Sequence, residues 1–231
     1  ATIEPEEVLA ELPAGLNESQ ILAVLRAFHE PVSVITGGAG VGKTFTVANI
    51  VRLALQRNMS VLLAAPTGKA ARRMAEQVAA LGSPVTATTI HRLLDYHPVE
   101  GWRISHEKPL EADLLIIDET SMIDAELAYR LCDGVRSDRT TVIFVGDPNQ
   151  LPPVGAGAFL RDVIAAKALP ITALTEVMRQ AGVLRERSLA ILDGQLLPMA
   201  RDADDIPPER RTSWRVLSQF TDANAIPAVL D

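Results

Sequence analysis

Val32-Ser33-Val34-Ile35-Thr36-Gly37-Gly38-Ala39-Gly40-Val41-Gly42-Lys43-Thr44-Phe45 joins an apolar run of strand length to a glycine-rich turn, and the turn to a helical pattern that continues to Leu55. Gly37 to Thr44 fits G-x-x-x-x-G-K-[ST], and a strand before it and a helix after it are the context that gives this pattern meaning. Glycines let the backbone curl until successive N–H groups face one point, and the helix N-terminus adds its positive end. The segment Gly37, Gly38, Ala39, Gly40, Val41, Gly42, Lys43, Thr44, Phe45 therefore reads as a phosphate cradle. Lys43 is expected on the β- and γ-phosphates of ATP, and Thr44 on Mg²⁺.

Ile171 to Leu174 can be a further strand, and outward from the opening stretch three more apolar runs have strand length: Val61 to Ala65, Leu114 to Ile117 and Val142 to Val145. None alternates cleanly with polar residues, so both faces should be buried, as in a parallel sheet. Helical patterns separate them, at Phe45 to Leu55, Ala70 to Leu81 and Ala125 to Val135. Strands alternating with helices read as βαβ units with right-handed crossovers. The expectation is an α/β fold with a parallel central sheet flanked by helices. Ahead of it, a short helix opens at Pro5 and ends by Pro13 and Gly15, and a second runs from Asn17 to about Phe28.

Two loops at the same sheet edge carry chemistry. Leu114-Leu115-Ile116-Ile117-Asp118-Glu119 is a bulky aliphatic strand ending in two carboxylates, at the edge where α/β sheets place ligands. Strand alternation should send them in different directions, Asp118 to Mg²⁺ and Glu119 to a water that it polarises as general base. Taken alone, the pair could equally be the acidic flank of the helix beginning near Asp124. Gly146 to Val154 is a rigid Gly- and Pro-containing loop whose Gln150 can touch a γ-phosphate; by itself it is equally a plain strand-to-helix turn.

After Arg179 the character changes. Leu184 to Leu192 can be a helix closed by Gly194, residues 198–213 are a Pro-, Asp- and Arg-rich linker, and Trp214 to Leu217 with Asp222 open further short elements. The expected organisation is a helical segment at 1–30, a P-loop ATPase domain at 31–180, and a linker with the start of a second domain at 181–231. The chain is read as a piece of something longer, since it begins with Ala and ends without a stop signal.

Composition bounds the alternatives. Apolar residues make up 48% and charged residues 22%, which argues against wholesale disorder. The single Cys132 excludes an internal disulfide framework, and its place in an apolar helical pattern reads as core. No run approaches the roughly 20 apolar residues of a membrane span, and no signal-peptide pattern opens the chain. A soluble, cytoplasmic protein is expected. The net charge of −7 means that any nucleic-acid contact must use a local patch; Lys69, Arg72, Arg73, His91 and Arg92 form the compact basic set, though a solvated helix face would look the same. His29, His97 and His106 have no ligand-like spacing and read as structural.

These residues together resemble the first motor domain of superfamily 1 helicases, most of all the RecD type. The P-loop, Asp118-Glu119 and Gly146 to Val154 match that family's motifs I, II and III. Ala65-Pro66-Thr67-Gly68-Lys69-Ala70-Ala71 resembles motif Ia, Ala87 to Leu94 the segment around motif Ib, and Leu174 to Gln180 motif IV. The resemblance covers about residues 17–180 and implies a RecA-like P-loop NTPase fold. It also implies ATP-driven 5′→3′ translocation on single-stranded DNA, duplex unwinding, roles in DNA repair and recombination, and helicase–nuclease subunits as partners.

It assigns Gln20 to adenine and Arg179 to the γ-phosphate, and Pro66, Thr67, Lys69, Thr89, His91 and Arg92 to DNA. Gln20 has a second reading, because Asn17-x-x-Gln20 can form a capping box. The family's motifs V and VI find no match, so the isolated chain should hydrolyse ATP poorly. Leu184 to Ser188 also resembles the helicase part of conjugative relaxases. The competing reading from another class is a nucleotide-binding switch or scaffold without turnover.

Overall fold

A computed structural model of the chain describes residues 4–136 and 138–176. Two helices come first, α1 (Pro5–Ala10) and α2 (Glu18–His29). Then follow β1 (Val32–Gly37), α3 (Lys43–Gln56), β2 (Val61–Ala65), α4 (Gly68–Ala80), β3 (Ala87–Thr89) and α5 (Ile90–Leu93). A hairpin of β4 (Tyr96–His97) and β5 (Gly101–Trp102) leads to β6 (Leu114–Ile117), a 3₁₀ turn (Thr120–Met122) and α6 (Ala125–Gly134). The last described elements are β7 (Thr141–Gly146), α7 (Phe159–Ala166) and β8 (Ile171–Leu174).

Six strands form one sheet in the order β3-β2-β6-β7-β1-β8, every neighbouring pair parallel. The parallel α/β expectation is therefore met, and the reason is visible in β6, where all four residues are buried. A strand covered on both faces favours apolar side chains at every position. Alternate residues serve the two faces. Val34, Ala64, Leu115, Ile117, Val142 and Phe144 share one core with Ile90, Leu127, Leu131 and Leu160 from α5, α6 and α7 and with Leu94 and Ile123, which close α5 and the 3₁₀ turn. Each fully buried Leu or Ile here contributes roughly 1.5–3 kcal/mol.

Strand order positions the site. The chain leaves β1 through α3 and returns two strands beyond β7, at β2. The C-terminal ends of β6, β7 and β1 are thus immediate neighbours, with Ile117 paired to Phe144 and Thr36 to Gly146. Loops that are distant in sequence open side by side at one edge, where such sheets bind ligands.

Three features depart from expectation. β3 is an Ala-Thr-Thr edge strand with no apolar run to announce it, held by pairing to β2. α7 lies where no helix was expected, although Leu160, Val163 and Ile164 carry a helical spacing onto the core. Cys132 is exposed, not core. α6 turns Leu127, Ala128, Leu131 and Gly134 inward, and Cys132 follows Leu131 by one position, about 100° around the helix. The helix, linker and strand expected beyond Glu176 lie outside the described residues.

Candidate nucleotide site

The cradle is built from glycine geometry. A Cβ on Gly37 would sit 2.6 Å from Val41 Cγ2 and 2.7 Å from the Leu174 carbonyl oxygen, so only glycine lets β1 pass β8 into the loop. Gly40 and Gly42 take φ of +80° and +87°, the left-handed region that costs a Cβ-bearing residue energy. Gly42 is the N-cap of α3, and its carbonyl accepts the first helical bond from the Thr46 N–H at 2.9 Å. The loop's N–H groups and the start of a 14-residue helix share one site.

Lys43 crosses this loop. Its Nζ donates to the carbonyls of Gly37 at 2.5 Å and Gly38 at 2.9 Å. An ammonium with three donors held inside the loop is placed to exchange those carbonyls for phosphate oxygens. The Thr44 hydroxyl donates to Gln77 Oε1 on α4 at 3.2 Å. Val41 has a buried side chain, so what it offers a phosphate is its backbone N–H. Ala39 is exposed at the tip, and Phe45 is half-buried in the first turn of α3.

Asp118 and Glu119 separate, but not by strand alternation. β6 ends at Ile117, and Glu119 adopts φ +52°, ψ +41°, a left-handed turn that is uncommon for a residue with a Cβ. Such strain, on the order of 1–3 kcal/mol, persists where the surroundings impose it and concentrates at functional sites. The residue that follows, Thr120, is firmly anchored. Thr120 is fully buried, its hydroxyl donates to the Val145 carbonyl, and it lies against Gly146, where a Cβ would approach its Oγ1 to 2.9 Å. The Glu119 N–H then donates to Asp118 Oδ1 at 2.8 Å. Burial, with the Glu119 charge, pushes the Asp118 carboxyl up to about 6; the Glu119 N–H, Lys43 and Arg73 pull the other way.

The Gly146–Val154 loop is tied to this turn. Gln150 Oε1 accepts from the Ser121 hydroxyl at 3.3 Å, and the Gln150 N–H donates to the Asp147 carbonyl at 3.1 Å. The Gln150 side chain itself is exposed at the sheet edge. Asp118, Glu119 and Gln150 thus belong to one connected piece of structure, and the 3₁₀ turn that joins them was not legible in the sequence.

Gln20 is fully buried and both ends of its amide are engaged. Oε1 accepts the Asn17 N–H at 3.1 Å and completes a capping box, while Nε2 donates to the Val41 carbonyl at 3.3 Å. The capping reading is present; one N–H and one oxygen lone pair of the amide are not used by these two bonds. Through Val41, Gln20 already ties α2 to the phosphate loop.

Oxygen donors of the hard kind that Mg²⁺ takes stand at the same sheet edge, a hydroxyl at Thr44 after β1 and a largely buried carboxylate at Asp118 after β6. Among the described residues no group of three or more His, Cys, Asp or Glu could hold a metal. The set fits an ion that keeps waters and phosphate oxygens in its shell and takes one or two protein ligands.

The residues assigned to DNA meet at the neighbouring edge. β2 pairs with β3 so that Ala65 stands opposite Thr89, which brings Pro66, Thr67 and Lys69 beside Thr89, His91 and Arg92. Both threonines are helix caps: Thr67 Oγ1 accepts the Ala70 N–H and Thr89 Oγ1 the Arg92 N–H, each at 3.2 Å. Lys69, His91 and Arg92 are exposed. Arg72 and Arg73 are exposed as well, and Arg72 pairs with Glu76 one turn on. Tyr96 and Trp102, which the sequence reading missed, flank His91 with ring centroids 5.7 and 5.2 Å away, and the Arg130 guanidinium lies over Trp102. His29 and His97 make local contacts, to the Leu25 carbonyl and the Val99 N–H, and His106 reaches across to Asp133 on α6. Arg179 lies outside the described residues.

Residues 20–156 match the family described as AAA domain. The chain belongs to this AAA domain family. Within it, the chain is similar to an ATP-dependent RecD2 DNA helicase of Deinococcus radiodurans, 42% identical over 167 residues, which are 72% of this chain and 22% of that protein. It is also similar to the RecBCD enzyme subunit RecD of Mycobacterium tuberculosis, 37% identical over 72% of this chain and 32% of that protein. The chain therefore spans between about a fifth and a third of the length of these relatives. The Pif1 helicase of Candida albicans has a solved structure that shares the fold, with a TM-score of 0.51 at 22% identity, over 76% of this chain and 42% of that one. The AAA domain match begins at Gln20 and ends just beyond the Gly146–Val154 loop, so it encloses the P-loop, both carboxylates and Gln150.

Proposed function

We propose that this AAA domain chain is the first motor domain of an ATP-dependent DNA helicase, coupling ATP hydrolysis to 5′→3′ movement on single-stranded DNA and to duplex unwinding in the complete protein. The observation that carries this reading is the convergence of the phosphate loop, Asp118, Glu119 and Gln150 on one sheet edge, with residues suited to a nucleic-acid backbone on the next two strands. The reading includes a helical segment at 1–30, the ATPase domain at 31–180 and the start of a second domain at 181–231. It includes cytoplasmic work beside helicase–nuclease subunits. The similarity to RecD proteins, which are named as RecBCD subunits, supports that last part. No described helix is long and apolar enough to cross a membrane.

In this reading, the loop N–H groups and Lys43 bind and orient the β- and γ-phosphates of ATP. Mg²⁺, held by Thr44 and Asp118, would neutralise charge on the same oxygens. Glu119, set off the strand by its left-handed turn, accepts a proton from the attacking water. Gln150, steadied by Ser121, meets the γ-phosphate from the neighbouring loop. Lys69 and Arg92 hold DNA phosphates, and Tyr96 and Trp102 offer aromatic faces on which bases stack. A scaffold without turnover could lose Glu119 or Gln150 freely; their retention beside a strained turn favours the enzyme.

The test is DNA-stimulated ATP hydrolysis by residues 1–231 against the same chain extended through the following domain. The short chain should turn over slowly and the extended one should respond to single strands, because an arginine from the far side of the cleft is worth on the order of 10³–10⁵ in rate. An extended chain that binds ATP without hydrolysing it would favour the scaffold instead.

A further inference from the structure

We propose that Gln77, in the third turn of α4, is the residue that orients the Thr44 hydroxyl toward Mg²⁺. The proposal rests on Thr44 as a metal ligand and adds a residue that no motif marks. A hydroxyl has one proton and two lone pairs, and it ligates a cation only when the proton points elsewhere. Thr46, two residues on, sends its proton back along its own helix to the Gly42 carbonyl at 3.1 Å, the usual recourse of a helical threonine. Thr44 does not. Its proton goes across to Gln77 Oε1 on another helix, 3.2 Å away, which leaves the hydroxyl lone pairs for the phosphate side of the loop.

α4 is fixed for this task by its own pattern. Ala71, Met74 and Val78 are its buried stripe, and Gln77, adjoining Val78, is held half-buried against the start of α3. Partners that stand behind a metal ligand in this way set its orientation, and losing one typically costs 10–100-fold in metal affinity.

The experiment measures affinity for a fluorescent ADP by the full 231-residue chain, first in EDTA and then across a Mg²⁺ titration. Gln77→Met keeps length and packing without an acceptor; Gln77→Glu keeps an acceptor that cannot donate. In EDTA both should bind within about twofold of the parent, which also reports that they fold. The Mg²⁺ concentration giving half of the affinity gain should rise about tenfold or more for Gln77→Met, and stay at or below the parent value for Gln77→Glu. A Gln77→Met chain with the parent's Mg²⁺ dependence overturns the proposal, as does one that loses ADP in EDTA. Thr44→Val separates the two levels: if it retains the Mg²⁺ gain, the assignment of Thr44 to the metal is wrong and this proposal falls with it.

Discussion

Replacing Asp118 with Asn should stabilise the nucleotide-free chain while abolishing its Mg²⁺-dependent nucleotide binding. Burial holds the Asp118 carboxyl at about 6, against 3.8 in the unfolded chain. Below 3.8 both states carry the proton and the residue is neutral for stability. Between 3.8 and about 6 the folded chain keeps a proton that the unfolded one has lost, so stability falls as pH rises. Above about 6 the deficit is complete. A difference of about two pH units, at roughly 1.4 kcal/mol each, sets a ceiling near 3 kcal/mol; partial contact of the carboxylate with water puts the expected gain at ~1–3 kcal/mol. Asn keeps the shape and still accepts the Glu119 N–H, so the substitution removes charge and little else. Urea unfolding of both chains in EDTA, at pH 7.5 and pH 4, reads the difference from the midpoints at constant slope. The gain should be present at pH 7.5 and nearly gone at pH 4. A gain of equal size at both, or a loss at pH 7.5, would refute the argument that an uncompensated buried charge sits at this edge.

Lys43→Ala should weaken nucleotide binding, measured with a fluorescent analogue, because it removes the charge that Gly37 and Gly38 now hold inside the loop. Glu119→Gln should bind nucleotide normally and lose steady-state hydrolysis in the extended protein; normal turnover would remove its role as base. Gly37→Ala should destabilise the chain by about 1–3 kcal/mol in chemical denaturation, since its Cβ meets the Leu174 carbonyl at 2.7 Å and backbone must move. Lys69→Ala with Arg92→Ala should lower single-strand affinity and flatten its salt dependence in a low-salt titration; an unchanged affinity would put the nucleic-acid path elsewhere.

Much of the fold was legible because its sheet is buried on both faces. Val61–Ala65, Leu114–Ile117 and Ile171–Leu174 are strands at the expected bounds; the signal is plainest at Leu114–Ile117, since a strand with no solvent face leaves an uninterrupted apolar signature. The phosphate loop was equally legible, because left-handed backbone and close approach at Gly37, Gly40 and Gly42 demand glycine itself. Where pairing decides the element, the letters are silent: Ala87–Thr89 is a strand because β2 offers an edge, and Tyr96–Trp102 a hairpin that brings aromatic rings to His91. Cys132 shows the limit of periodicity, because one position along a helix turns a side chain by about 100° and the apolar stripe is wider than the core it meets.

At the candidate site the division is sharper. Sequence alone names Lys43, Thr44, Asp118, Glu119 and Gln150, since each belongs to a local motif whose chemistry is carried by residue type. It does not say that Glu119 leaves the strand in a left-handed turn, that Ser121 holds Gln150, or that Gln77 takes the Thr44 proton. Those contacts span 29 and 33 residues for the Ser121–Gln150 and Thr44–Gln77 pairs. The order of strands in the sheet creates them: a crossover from β1 to β2 over two intervening strands sets α4 against the start of α3, and no local pattern in the chain encodes which helix a distant strand order will bring alongside.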